Sequence, residues 1–286
     1  MPKTKVYFPG AYGVSSKQIT TWYRKMLPIA NTTTEIVDNV EDCDYIIMQD
    51  QTDEILPKDK QVIFFQKEPD HVKHYTYNKT NVYKSFYHSK GEAWMIQTPW
   101  VSFTHDELVA MKPPIKQHKL SIVDSGKATL PGHHDRLQAI QDIVNHVPDI
   151  HLYGYITTGR EGTGPFKKPL PARAKEEAFL KYKYAVAIEN GQTPHYFSEK
   201  IIDPILCWTT PIYWGCSNIS KYFPKGSFIE IKHLNSDVGS QVASIIESQH
   251  YEENLDALAE ARDLILNKYN LIPTIEKSLT TDNLWN

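Results

Sequence analysis

Three short stretches hold residues able to act on an anionic or hydroxyl-bearing ligand. Ser198, Glu199 and Lys200 open a run in which Ile201, Ile202, Ile205 and Leu206 share one helical face, with Ser198 placed as the N-cap. A lysine in a first helical turn sets a cation beside the positive end of the helix dipole, where phosphate is favoured. The bland alternative is a Glu-Lys pair on a solvated face. Arg136, after His133, His134 and Asp135, carries a planar fork that suits two phosphate oxygens at once. Glu68 puts a carboxylate at the end of the apolar run Phe64-Phe65, and its alternative is a solvated loop residue.

These residues need elements that bring them together. Tyr184–Ile188 reads as a strand that ends in a polar burst, Glu189, Asn190, Gly191, Gln192, Thr193 and Pro194, and Thr210–Trp214 as a strand ending at Gly215. Strand, polar loop, helix and strand form a unit that places ligands at the carboxyl edge of a parallel sheet. Leu120–Val123 starts the same sheet and ends at Asp124, Ser125 and Gly126. A polar loop carrying His133 to Arg136 is expected next, then a helix through Leu137, Ile140, Ile143 and Val144, and a strand and turn at His151–Gly154. In the first part of the chain, Lys5–Phe8, Thr34–Val37, Tyr45–Met48 and Val62–Phe65 read as strands of a separate open sheet. Gly10–Ser16 is read as an ordinary turn before a helix through Ile19, Trp22, Tyr23, Met26 and Leu27.

Met111–Lys119, with adjacent prolines and no apolar period, is the linker candidate. The expected division is residues 1–115, residues 116–270, and a tail, 271–286, that packs back across both domains. Leu255–Leu266 is an amphipathic helix. Thr157–Pro171, rich in Gly, Pro, Lys and Thr, reads as a long loop, either a lid or a surface excursion.

At 286 residues with 41% hydrophobic content, the chain is long enough for two cored domains. A net charge of −3 argues against broad nucleic-acid binding while leaving room for one local basic pocket. Cys43, Cys207 and Cys216 show no ligand-like spacing and are expected to be free thiols in a reducing compartment. The first residues, MPKTKVYFPG, lead straight into a strand, and no run is long and apolar enough to span a membrane, so a cytoplasmic location is expected. Asp42-Cys43-Asp44 matches a metal-holding D-x-D triplet formally. It precedes its apolar strand where such a triplet should follow, so it is read as a turn. Adjacent His133 and His134 point different ways, which argues against a metal there.

The blocks IEN, YFSEKIID, TPIYWG and SKYFPKGSFI follow one another between Lys181 and Ile231. In that order and spacing they resemble the donor-binding segment of the α-1,3-fucosyltransferase family, and the match covers about fifty residues. The resemblance implies an α/β chain of two Rossmann-like domains facing a cleft, the GT-B arrangement, with acceptor on the first domain and donor on the second. It implies an inverting glycosyltransferase without metal or other cofactor, moving L-fucose from GDP-fucose to a glycan hydroxyl. On that pattern Lys200 and Arg136 hold the diphosphate, Glu199 accepts from ribose hydroxyls, and Tyr196 closes over the nucleotide. Glu189 and Asn190 stand where the family has its Glu-Asn pair, and either bind donor or tie the loop. Glu68, before Pro69, is the counterpart of the proposed base, with the family's intervening serine missing. Asp70, His71 and His74, among Tyr75, Tyr77, Tyr83, Phe86, Tyr87, Trp94 and Trp100, form either an acceptor cradle or an aromatic core edge. Absence of a membrane anchor looks more like the soluble bacterial or viral members. Transfer of another sugar, such as xylose or rhamnose, and a non-catalytic nucleotide- or glycan-binding module stay open as alternatives.

Overall fold

The structure, a computed structural model, describes residues 2–30, 32–69, 81–87, 99–129, 131–154, 166–168, 170 and 174–281, with 166–168 as backbone alone. The first sheet contains β1 (Thr4–Tyr7), β2 (Thr34–Ile36), β3 (Tyr45–Gln49), β4 (Gln61–Phe65) and β5 (Val82–Phe86), in the order β2-β1-β3-β4-β5. The second contains β6 (His118–Val123), β7 (His151–Tyr153), β8 (Phe166–Lys168), β9 (Tyr182–Ile188), β10 (Thr210–Trp214) and β11 (Ile229–Glu230), in the order β11-β10-β9-β6-β7-β8. Among the described residues every strand pairing within both sheets is parallel. Around them lie α1 (Ser16–Arg24), α2 (His105–Ala110), α3 (Pro131–His146), α4 (Glu199–Leu206), α5 (Val238–Ile246), α6 (His250–Glu253), α7 (Leu255–Asn267) and α8 (Leu271–Thr280).

Burial on both faces explains why the strands read as unbroken apolar runs. In β3, Ile47 belongs to a core with Val6, Ile63 and Phe65, whereas Ile46 and Met48 belong to the opposite core with Val62 and Phe64. The first of these cores is closed by Tyr23 of α1 and by Leu271, Ile272 and Ile275 of α8, so the last described helix packs on the first sheet. Residues 99–111 lie with the second sheet. Val101 and Leu108 join its core, the Trp100 N–H donates to Asp203 Oδ1 at 2.8 Å, and Arg262 Nη2 donates to the Leu108 carbonyl at 2.6 Å.

Each sheet winds in both directions from its first strand, so the order reverses between β1 and β3 and again between β6 and β9. Crevices open outside the carboxyl ends of strands at such switch points. Loops after β1, β3 and β4 in one sheet, and after β6 and β9 in the other, are therefore the places to look for a site.

The structure departs from the sequence reading in three elements that matter here. α3 begins at Pro131, so His133, His134, Asp135 and Arg136 sit on helix and not in a loop. Proline suits a first helical position because its missing N–H would have no partner there. Residues 166–168, read as loop, form edge strand β8 paired with β7, and the remainder of the 157–171 segment lies outside the described residues except 170. Val82–Phe86, read only as an aromatic stretch, is edge strand β5. All three cysteines are buried and free. No helix among the described residues is long and apolar enough to cross a membrane.

Candidate functional site

Asp124 leaves the carboxyl end of β6 and turns inward. It is buried, and its Oδ1 accepts the Gly126 N–H at 2.6 Å, which closes the loop. Its Oδ2 lies 2.6 Å from Nε of Arg136, one helical turn and a half into α3. The other side of the guanidinium reaches the β9 loop, where Nη1 donates to Asn190 Oδ1 at 2.5 Å. Arg136 is only 4% exposed, and its Nη2 has no hydrogen-bond partner. A buried guanidinium held by a carboxylate and an amide, with one nitrogen left over, is rigid and incompletely satisfied. Gly132 makes this approach possible, since a Cβ there would lie 1.8 Å from the Asn190 carbonyl oxygen.

The β9 loop is tied down by Glu189, which is fully buried. Its Oε1 accepts the Ser198 N–H at 2.8 Å and the Ser198 hydroxyl at 2.9 Å, and its Oε2 lies 3.3 Å from Lys200 Nζ. Ser198 caps α4 by accepting the Lys200 N–H at 3.4 Å. The N–H groups of Ser198 and Lys200 are thus already engaged, and what α4 presents to the cleft is side chains. Glu199 pairs with Lys175 at 3.5 Å and Lys200 at 3.8 Å. Burial opposes ionisation of Glu199, yet these two cations hold its carboxyl down to about 2. Lys200 is likewise disfavoured by burial and carried well above the ordinary lysine range by Glu189 and Glu199. Lys175 Nζ stands 4.4 Å over the Trp100 ring, so the tryptophan orders a lysine that local sequence does not single out.

Across the cleft, Glu68 follows β4. Asp50, at the end of β3, is fully buried and takes the N–H groups of Lys67 and Glu68 at 2.7 and 3.0 Å. Tyr196, 2% exposed, reaches from the β9–α4 loop to this side. Its phenol is pushed well above its usual range by burial first and then by Glu189, Glu68, Glu199 and Asp50, carboxylates from both sheets. It is therefore a neutral hydrogen-bonding group at the point where the two halves meet.

Both sides line a cavity of about 830 Å³. Glu68, Arg136, Asn190, Tyr196, Glu199 and Lys200 all line it, and Glu189 lies beneath, supporting the loop from below. Sequence reasoning had no signal for Asp50 or Lys175. It also passed over Lys67, Lys127 and Tyr12, which line the cavity and adjoin residues it did weigh. His133 lines the cavity as well, and burial followed by the Arg136 charge lowers its basicity, so it is a neutral neighbour of the arginine. Of the aromatic stretch, Trp100 lines the cavity, Phe86 is core, and Tyr87 packs tilted against Phe64 with ring centroids 5.6 Å apart. Asp70, His71, His74, Tyr75, Tyr77 and Trp94 lie outside the described residues.

Among the described residues no group of three His, Cys, Asp or Glu side chains is placed to hold a metal ion. Asp42-Cys43-Asp44 sits ahead of β3, at the opposite end of that strand from the cavity, with the Asp44 carboxylate on the Lys5 N–H at 2.7 Å. The glycine loop after β1 is also occupied, because Gly10 and Gly13 donate to Glu54 and Asp53. The cation-bearing wall of the cavity, facing a carboxylate wall, is what a sugar joined to a diphosphate and a hydroxyl acceptor would require.

Residues 116–250 match the family model described as glycosyltransferase family 10 (fucosyltransferase), C-terminal part. An α-(1,3)-fucosyltransferase of Helicobacter pylori is 40% identical over 88 residues, which are 30% of this chain and 18% of that protein. The human 4-galactosyl-N-acetylglucosaminide 3-α-L-fucosyltransferase is 33% identical over 76 residues, 26% of this chain and 21% of that one. The chain thus spans about a fifth of the length of each of these curated relatives. The crystal structure of an α1,3-fucosyltransferase with GDP superposes with a TM-score of 0.53 at 17% identity, covering 100% of this chain and 92% of that one. That likeness gives the fold, the two-domain GT-B arrangement. Residues 116–250 resemble in sequence the C-terminal part of the fucosyltransferase family, and both sheets share the fold of an α1,3-fucosyltransferase.

Proposed function

We propose that the protein is an inverting glycosyltransferase that moves L-fucose from GDP-fucose to a glycan hydroxyl without a metal ion. The observation that carries this reading is Arg136, a residue of the cavity lining held between Asp124 and Asn190 with its Nη2 unsatisfied. Two phosphate oxygens would complete that nitrogen and gain Lys200 and Lys127 as further cations on the same wall. The family resemblance supplies the guanosine and fucose, and the human relative's name supplies an acceptor to try, N-acetyllactosamine.

In the reaction, the acceptor oxygen attacks the anomeric carbon from the face opposite the diphosphate. Glu68 takes the hydroxyl proton, the bond from the anomeric carbon to the phosphate oxygen breaks, and GDP leaves with the electron pair, its charge held by Arg136 and Lys200. Tyr196 stays neutral and bridges the two halves at the reacting end. A single displacement inverts the anomeric configuration.

Glu68→Gln keeps the shape and removes the proton acceptor. Turnover of GDP-fucose with N-acetyllactosamine should fall about a hundredfold or more, while GDP affinity stays near its wild-type value. Near-normal turnover in that variant, or a retained anomeric configuration in the product, would refute the mechanism. Thermal-shift measurement with GDP, UDP and their sugars tests the donor, since only a ligand of the folded state raises the melting temperature. A shift with UDP compounds and none with GDP would replace the fucose reading by another sugar.

A further inference from the structure

We propose that Asp50 is a positioning residue which fixes the backbone that carries Glu68, so that the base is presented to the acceptor hydroxyl in one orientation. This rests on the reading of Glu68 as base. Asp50 is fully buried and has a left-handed backbone, with φ of +60°. Its own N–H donates to the Phe65 carbonyl at 3.1 Å, joining the ends of β3 and β4. Its two carboxylate oxygens divide the work. Oδ1 accepts the Lys67 N–H at 2.7 Å, and Oδ2 accepts the Glu68 N–H at 3.0 Å and the Tyr12 hydroxyl at 3.2 Å.

Asparagine would satisfy the left-handed backbone equally well, so backbone conformation does not call for a buried carboxylate here. The donors do. Two adjacent N–H groups arrive at different oxygens, and only a side chain that accepts at both ends can hold both. The two backbone hydrogen bonds and the charge of neighbouring Lys67 favour the ionised carboxylate. The groups facing it are Lys67 and Glu68 from the loop after β4, Tyr12 from the loop after β1, and Tyr196 from the opposite domain. Burial first, and then Glu68, raise the Asp50 carboxyl to about 7 against the lowering effect of the two N–H groups. On protonation one oxygen becomes a donor, and one of the N–H groups loses its acceptor.

Asp50→Asn keeps the volume and the backbone preference while turning an NH₂ toward one of the two N–H donors. With GDP-fucose, and with N-acetyllactosamine or water as acceptor, kcat should fall about tenfold with GDP affinity unchanged. The loss should vanish in a Glu68→Gln background, because there is no base left to orient. The wild-type kcat should show an acid limb near pH 7 that D50N lacks, and amide exchange at Lys67 and Glu68 should be faster in D50N. Unchanged kcat or unchanged amide exchange in folded D50N, or a loss that multiplies fully with that of E68Q, overturns the proposal. Normal turnover in E68Q alone overturns the base reading and this role together; impaired E68Q beside unimpaired D50N overturns only the role of Asp50. If D50N does not fold, amide exchange in the wild-type protein decides: Lys67 and Glu68 N–H groups that exchange as fast as open loop amides overturn the proposal.

Discussion

Replacing Arg136 with alanine tests the donor site where the structure makes it most exposed to refutation. Arg136 lines the cavity with one nitrogen, Nη2, buried and without a hydrogen-bond partner, and holds two neighbours in place through Nε and Nη1. A charge-assisted hydrogen bond to phosphate contributes roughly 1.5–3 kcal/mol, so GDP should bind about tenfold to a hundredfold more weakly. The same change leaves Asp124 buried with the Gly126 N–H on its Oδ1 as the remaining described side-chain partner, and an orphaned buried charge costs about 3–5 kcal/mol of folding stability. That is a large part of the roughly 5–15 kcal/mol available to a domain. The informative experiment therefore pairs Arg136→Ala with the double variant Asp124→Asn, Arg136→Ala, which removes the orphan charge and should recover much of the melting temperature. Calorimetric titration with GDP on both variants separates binding from stability. If the double variant regains stability and binds GDP as tightly as wild type, Arg136 is a structural arginine and the diphosphate lies elsewhere.

Lys200→Ala should also weaken GDP binding about tenfold by calorimetry. It should lower the melting temperature too, since buried Glu189 then keeps only Ser198 as a described partner. Activity in excess EDTA should equal that with manganese or magnesium, and full loss in chelator restored by metal would refute the charge-neutralising role of Arg136 and Lys200. Gly132→Ala drives a Cβ onto the Asn190 carbonyl, so the start of α3 must move away from the β9 loop. We expect a loss of about 1–3 kcal/mol in denaturant unfolding together with weaker GDP binding, because the Arg136–Asn190 contact opens.

How far this could be read without coordinates depends on whether the signal is local. Ile46, Ile47 and Met48 declare a strand because both faces of a parallel sheet are buried, and the cap at Ser198 is written in its own side chain. Strand β5 carries no such run: it is an edge strand whose residues are mostly half-exposed, and its apolar signal is diluted accordingly. The helical setting of Arg136 was legible in Pro131 and passed over because the histidines and aspartate look like loop.

Asp50 illustrates the other limit. Nothing near it in sequence marks it, since its importance comes from β3 and β4 lying side by side, which brings residues seventeen and eighteen positions onward to its oxygens. The same non-locality changes the meaning of the cations. Read along the chain, Arg136 and Lys200 are free charges awaiting a phosphate; in the fold each already has a carboxylate, Asp124 for one and Glu189 with Glu199 for the other. Neutralised pairs can be buried without the cost of lone charges, so the cleft tolerates cations that would otherwise repel one another. On the proposed function, a diphosphate entering it would meet side chains already oriented by their partners, and preformed donors would receive its charge instead of lysines that must first be ordered. On that proposal the acidic residues along this wall would help the site hold an anion by orienting its cations, even though a carboxylate cannot itself touch a phosphate favourably.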